Sequence, residues 1–165
     1  MNRRHQTEHR RGFTMIEIVL VLVIISSALA LAAPSLRGWG QSAKLRDVSE
    51  QFVAACRWAR AEAAATASTH RIDLDSAAST YSVKRQSGAE FVPVAGELGR
   101  ATALPQGFTL ALASGGADGR AIQFYPNGRA TPAVVRFTST AGETAEVASA
   151  FPADLFKVTP VGGAR

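Results

Sequence analysis

Cysteine is almost absent from this chain. Cys56 is the one cysteine in 165 residues, so no intrachain disulfide can form and a disulfide-stapled fold is excluded. Histidine is scarce as well. Of three, His5 and His9 lie at the N-terminus and only His70 lies in the remainder. A His/Cys zinc cage and a two-histidine metal centre within one chain are thereby excluded. Any Ser-His-Asp site would rest on His70 alone. Charge is missing altogether from Ile18 to Ala33, where Ser26 and Ser27 are the only polar side chains. No internal repeat is present, and no catalytic constellation survives this inventory. An enzyme is not expected, and no cofactor is implied.

The formal charge of +5 is unevenly spread. Residues 1–12 carry Arg3, Arg4, Arg10 and Arg11 against Glu8 alone. The rest of the chain is close to neutral, so its overall basicity is no argument for nucleic-acid binding.

What the chain does have is concentrated near its start. A basic segment ends at Gly12, Phe13-Thr14-Met15-Ile16-Glu17 follows, and then comes the apolar run. As a helix, residues 13–33 would reach about 31 Å, enough to cross a bilayer core of about 30 Å. The preceding arginines would hold that end in the cytoplasm, with everything after Pro34 exported. Four readings fit such a segment. They are an uncleaved anchor, a secretory signal with A-x-A sites at Ala28–Ala30 and Ala30–Ala32, a twin-arginine signal at Arg10-Arg11, and a prepilin leader.

Glu17 separates them. A carboxylate in an apolar span costs roughly 2.5–3.5 kcal/mol at a bilayer centre, and signals or simple anchors have no use for it. Cutting after Gly12 would create its partner, a positively charged α-amine on Phe13, one helical turn away. In a packed array, Glu17 could equally meet the amine of a neighbouring subunit.

Gly12-Phe13-Thr14-Met15-Ile16-Glu17 and the apolar residues after it resemble the prepilin motif of type IV pilins and type II secretion pseudopilins. The resemblance implies a membrane-embedded peptidase that cuts between Gly12 and Phe13 and N-methylates Phe13. It makes Glu17 the family's assembly glutamate and Pro34 its helix-kinking proline. Residues 1–12 would be the leader, 13–34 the transmembrane and assembly helix, and 35–68 the soluble half of that helix.

Pro34 removes a backbone donor, and Gly38 and Gly40 weaken the following turn, so a bend is expected there. Beyond it Leu45, Val48, Phe52, Ala55, Cys56, Ala59 and Ala63 recur at helical spacing as a core stripe. Lys44, Arg46, Asp47, Glu50, Arg57 and Arg60 take the solvent side. Cys56 reads as a buried stripe residue, and Trp58 lies off the stripe, over a sheet edge or a neighbour. After about Ser68 the pattern alternates. Strands are expected at 71–75 and 80–84 as a hairpin, then at 90–94, 108–113, 121–125, 133–139, 143–149 and 155–159. Asn127-Gly128 suits a hairpin turn. The expected fold is α+β, type IV pilin-like, with one long N-terminal helix packed on a small antiparallel β domain, residues 69–165.

This half carries a second, looser resemblance. Arg60-Ala61-Glu62-Ala63, the Ile72–Asp75 strand and the Phe124–Gly128 turn are similar to the H-type minor pseudopilin of type II secretion and to its pilus relative, the FimT-type minor pilin. Asn127 stands where that family often has Asp. The ending Val161–Arg165 matches only part of the Gly-Arg-x-Arg terminus linked to DNA binding in FimT-type proteins.

Other candidate sites are weaker. The glycine-rich Ser114–Gly119 lacks the Lys-Ser/Thr of a phosphate cradle and reads as a loop. Asp73 and Asp75 share one side of a strand, where solvated charge is the simpler reading than a shared cation. Arg129, Arg136 and Arg165 are the candidate DNA-contact residues. They lack interleaved aromatics, so nucleic acid is an unlikely partner.

The expected role is structural. It is that of a minor pseudopilin at or near the tip of a periplasmic pseudopilus that drives export of folded proteins. Expected partners are the prepilin peptidase, other major and minor pseudopilins through helix packing, the inner membrane before assembly, and the secreted substrate or secretion channel. The alternatives are a FimT-type minor pilin acting in pilus assembly or DNA uptake, and a soluble exported β domain released by signal peptidase.

Overall fold

The computed structural model describes residues 13–161, with the side chains of 31–39 and 160–161 outside that description. The chain divides into two compact units, Met1–Gly38 and Trp39–Arg165. Helix α1, Met15–Ala65, is assigned through both. The bend expected at Pro34 falls on residues 31–39 and so lies outside the described side chains.

In the first unit, α1 presents apolar side chains on every side. Ile16, Leu20 and Ile24 are 78%, 60% and 59% exposed. An all-round apolar helix requires lipid or other helices around it. Among the described residues, no helix is long and apolar enough to cross a membrane. The described side chains of the apolar run stop at Ala30, so the last part of the expected 13–33 span lies beyond them.

In the second unit, every residue of the expected stripe is buried. The stripe is wider than expected, because Ser49 and Val53 are buried as well. Two sheets explain the width. Strands β1 (His70–Asp75), β2 (Thr80–Ser87), β3 (Glu90–Pro93), β4 (Thr102–Ala103) and β6 (Ala121–Phe124) form one. Its order is β3-β2-β1-β6, with β4 on β2. Strands β5 (Phe108–Gly115), β7 (Ala133–Ser139), β8 (Thr144–Ser149) and β9 (Lys157–Val161) form the other, in the order β5-β7-β8-β9. All described pairings are antiparallel. Alternation puts Ile72, Leu74, Tyr81 and Val83 inside from the first sheet, and Leu110, Val135, Phe137 and Val147 inside from the second.

Phe52 on α1 joins the two. Its ring meets Tyr81 of β2 edge-on at 5.2 Å and Phe137 of β7 at 5.4 Å. Ser49 is buried at no polar cost, because its hydroxyl donates to Leu45 O at 2.8 Å. The helix ends where Ala67 turns left-handed, at φ 49°.

All eight expected strands are present. The expected Asn127-Gly128 hairpin differs in detail. Gly128 has φ 77° and the chain doubles back there, Tyr125 N–H donating to Arg129 O at 2.9 Å. The flanking strands β6 and β7 belong to different sheets, so the turn closes on a single Phe124–Ala130 bridge. It therefore moves the chain from one sheet to the other.

Candidate functional site

The helix start is built by Thr14. Glu17 N–H donates to Thr14 Oγ1 at 3.3 Å and to Thr14 O at 3.1 Å, and Ile18 N–H reaches Thr14 O at 3.3 Å. Thr14 is thus the N-cap and Glu17 the third helical residue, the spacing of a capping box. The sequence carried the signal in Thr14-x-x-Glu17, which the motif reading did not use. Phe13, just before the cap, is 78% exposed. Gly12 lies outside the described residues. A carboxylate in the first turn complements the partial positive charge of a helix N-terminus. It complements a free amine on Phe13 still more, because that amine adds a full charge at the same end.

The second unit holds a clamp and an ion-pair network. Arg60, expected on the solvent side, is half-buried. Its guanidinium donates to Asp154 O at 2.5 Å, Ala153 O at 3.4 Å and Pro152 O at 3.5 Å. Ser149 Oγ donates to Phe151 O at 3.0 Å, and Ala130 N–H donates to Pro152 O at 2.7 Å. The loop between β8 and β9 has its carbonyls drawn inward while Phe151 and Leu155 face solvent, 68% and 51% exposed. Arg60→Ala should cost about 1–3 kcal/mol, since charged donors to carbonyls are lost. The loop would then be cut faster by chymotrypsin after Leu155, since the bond after Phe151 is protected by Pro152. Unchanged cleavage would show that the loop holds without the clamp.

On the outer side of β1 and β2, Asp73 accepts from Arg71 and from Lys84 Nζ at 2.7 Å, and Arg71 also reaches Asp118 at 3.2 Å. Arg71 lies over the Phe91 ring at 5.2 Å. Arg71, Asp73, Lys84 and Asp118 line an open groove of about 800 Å³. Burial works to raise the Asp73 carboxyl, but Lys84 and Arg71 outweigh it and hold the group below its ordinary 3.8. Asp73 therefore contributes stability above that ordinary value, lost as pH falls through the lower folded value. Asp73→Asn should lower Tm at neutral pH, and the gap should begin to narrow at about pH 3.8 and close only once pH is below the lower folded value. A gap that persists there would assign the effect to packing rather than charge.

Asp73 and Asp75 do not share a cation site. Asp73 is taken by its two cations, and Asp75 Oδ1 accepts from Ala77 and Ala78 N–H at 3.0 Å each, closing the hairpin turn. Among the described residues there is no group of three His, Cys, Asp or Glu side chains able to hold a metal. Burial pushes the Cys56 thiol far up, keeping it protonated and unreactive. His70 is buried, its ring 6.0 Å from Trp58, with Nδ1 3.1 Å from Ser68 O. In the Ser114–Gly119 segment two glycines are closely packed, while Gly119 faces open space. A side chain at Gly115 would strike Pro132 O and one at Gly116 would strike Leu112 and Ala121 O.

The candidate DNA-contact arginines differ in their settings among the described residues. Arg136 is paired across β7–β8 with Glu146 at 2.7 Å. Arg129 is exposed in the turn, its N–H held by Asn127 Oδ1 at 3.1 Å. Arg165 lies outside the described residues.

Comparison with known families gives two matches. The prokaryotic N-terminal methylation motif covers residues 9–33. The family described as type II transport protein GspH covers residues 48–150. This chain belongs to the GspH family. Comparison with curated proteins gives no match. Among solved structures, two of the minor pseudopilin EpsH from the Vibrio cholerae type 2 secretion system are similar in fold. One has a TM-score of 0.59 at 11% identity, covering 72% of this chain and 97% of that one. The other also has a TM-score of 0.59, at 10% identity, covering 74% and 96%. The Pseudomonas aeruginosa type IV minor pilin FimU is similar too, with a TM-score of 0.54 at 15% identity, covering 74% of this chain and 92% of that one. These likenesses bear out the pilin-like α+β fold of this GspH-family chain.

Proposed function

We propose that this GspH-family chain is a minor pseudopilin of a type II secretion system, a structural subunit at or near the tip of a periplasmic pseudopilus. The observation that carries the reading is the pairing of a methylation motif over residues 9–33 with a GspH domain over 48–150 in one chain. The precursor sits in the inner membrane with residues 1–12 in the cytoplasm and residues 69–165 in the periplasm. The prepilin peptidase cuts between Gly12 and Phe13 and methylates the new amine. Subunits then pack their helices with other pseudopilins, Glu17 paired with a Phe13 amine and Pro34 serving as the family's helix-kinking proline. Burial of the exposed apolar faces drives packing. The secreted substrate or the channel meets the exported domain. No group here is assigned a chemical step.

The FimU likeness supports a second reading, a minor pilin of a type IV pilus. Deleting the chain in its native host tests the choice. The secretion reading expects folded exoproteins to be retained in the periplasm while pili persist. Lost pili with normal export would establish the pilus reading instead. Salt-dependent DNA affinity that disappears on changing Arg129 would add DNA uptake to it.

A further inference from the structure

Three side-chain oxygens near one end of the second unit are buried and have no hydrogen-bond partner: Gln41 Oε1, Ser139 Oγ and Glu143 Oε2. The backbone brings their residues together. Ser139 and Glu143 close the β7–β8 hairpin, Ser139 N–H donating to Glu143 O at 2.9 Å. Residues opposite one another in a hairpin put their side chains on the same face. For Ser139 that face is the buried one it shares with Val135 and Phe137. For Glu143 it is marked by Ser42 of α1, whose hydroxyl donates to Glu143 Oε1 at 2.7 Å. Gln41 adjoins Ser42 and precedes Leu45 by one helical turn, on the buried side of α1. The backbone thus brings residues bearing a carboxylate, an amide carbonyl and a hydroxyl to the place where α1 passes the hairpin.

Buried acceptors without donors are costly, and a carboxylate oxygen most of all. Ser139 is only 4% exposed, so its hydroxyl cannot turn out to water. All three atoms are hard oxygen donors, and one is charged. Zinc and copper favour nitrogen and sulfur, while an irregular set of protein oxygens suits calcium better than the strictly octahedral magnesium.

We propose that Gln41, Ser139 and Glu143 supply oxygen ligands to a calcium-class cation that ties α1 to the β7–β8 hairpin. One carboxylate makes the site a weak one, with a Kd on the order of 10⁻⁴–10⁻³ M. The inference stands apart from the choice between secretion and pilus.

The test uses the full-length chain in detergent, stripped with chelator and melted with and without calcium chloride at about 10 mM. Calcium should raise Tm by about 3–10 °C, and sodium chloride at matched ionic strength should not. Glu143→Gln should abolish the rise. In chelator, that variant should melt at or above the wild type, since it replaces a carboxylate that has one buried, unpartnered oxygen. Ser139→Ala, which removes a neutral ligand and one unpartnered hydroxyl, should keep the fold and give a smaller rise. The site is overturned if calcium has no effect on the wild type, the result expected were Gln41 turned over to donate its amide to Glu143. It is equally overturned if sodium matches calcium, or if both variants keep the full rise.

Discussion

Glu17→Ala should leave cleavage after Gly12 intact and cut incorporation into filaments by about tenfold or more. Cleavage after Gly12, as proposed, would leave a positive amine on Phe13, and N-methylation would keep its charge. Thr14 starts the helix immediately afterwards, so the amine lies at the positive end of the helix dipole. Packing the apolar faces around it removes water from that charge. An unpaired charge in apolar surroundings costs roughly 2.5–3.5 kcal/mol, about two orders of magnitude in an equilibrium constant. The Glu17 carboxylate offsets the cost only while it is charged and within reach. Glu17→Gln should therefore fail nearly as badly as Ala, and Glu17→Asp, one methylene shorter, should fall between. The readout is the fraction of subunit in sheared filaments against total membrane protein, with the leader-free form counted separately. Normal assembly of the Ala variant would remove charge pairing from the account.

Phe52→Ala should have the largest effect on stability. Phe52 is fully buried and its ring touches Tyr81 of one sheet and Phe137 of the other. Removing it leaves a cavity bounded by three elements that cannot close together on it. Such substitutions cost about 3–5 kcal/mol, or roughly 10–20 °C in Tm for a unit of this size. Phe52→Leu should recover much of the loss, because volume rather than ring geometry dominates. A thermal melt of the full-length protein checks this. A drop of only a few degrees would mean that the sheets hold together without the helix between them.

Local patterns made much of this legible in the sequence. The core stripe from Leu45 to Ala63 followed from helical spacing, and the eight strands followed from alternation punctuated by Gly and Pro. What was missed was non-local. Val53 and Ser49 lie off a stripe sized for one sheet, and no local pattern announces that the strands divide into two sheets. The transfer from β6 to β7 looked like a hairpin because its turn chemistry is that of a hairpin. Strand β4, only Thr102–Ala103, is too short to show a period. Arg60 reads as a solvent charge because its carbonyl partners are about ninety residues away. The expected processing residues Gly12 and Phe13 and the expected assembly residue Glu17 are a local signal instead. Gly12, Phe13 and Glu17 formed a compact motif with a physical reason for each member. Thr14 carried a capping signal that the motif obscured. The orphaned oxygens of Gln41, Ser139 and Glu143 could not be seen at all, since nothing in sequence joins a helix residue to a hairpin a hundred positions on.

The central claim is that this chain is processed as a prepilin, and the most direct test is the intact mass and N-terminal sequence of the protein from membranes of its native host. The account predicts a chain beginning at N-methylated Phe13. A chain beginning at Met1, or just after Ala32 or Ala33, would contradict it.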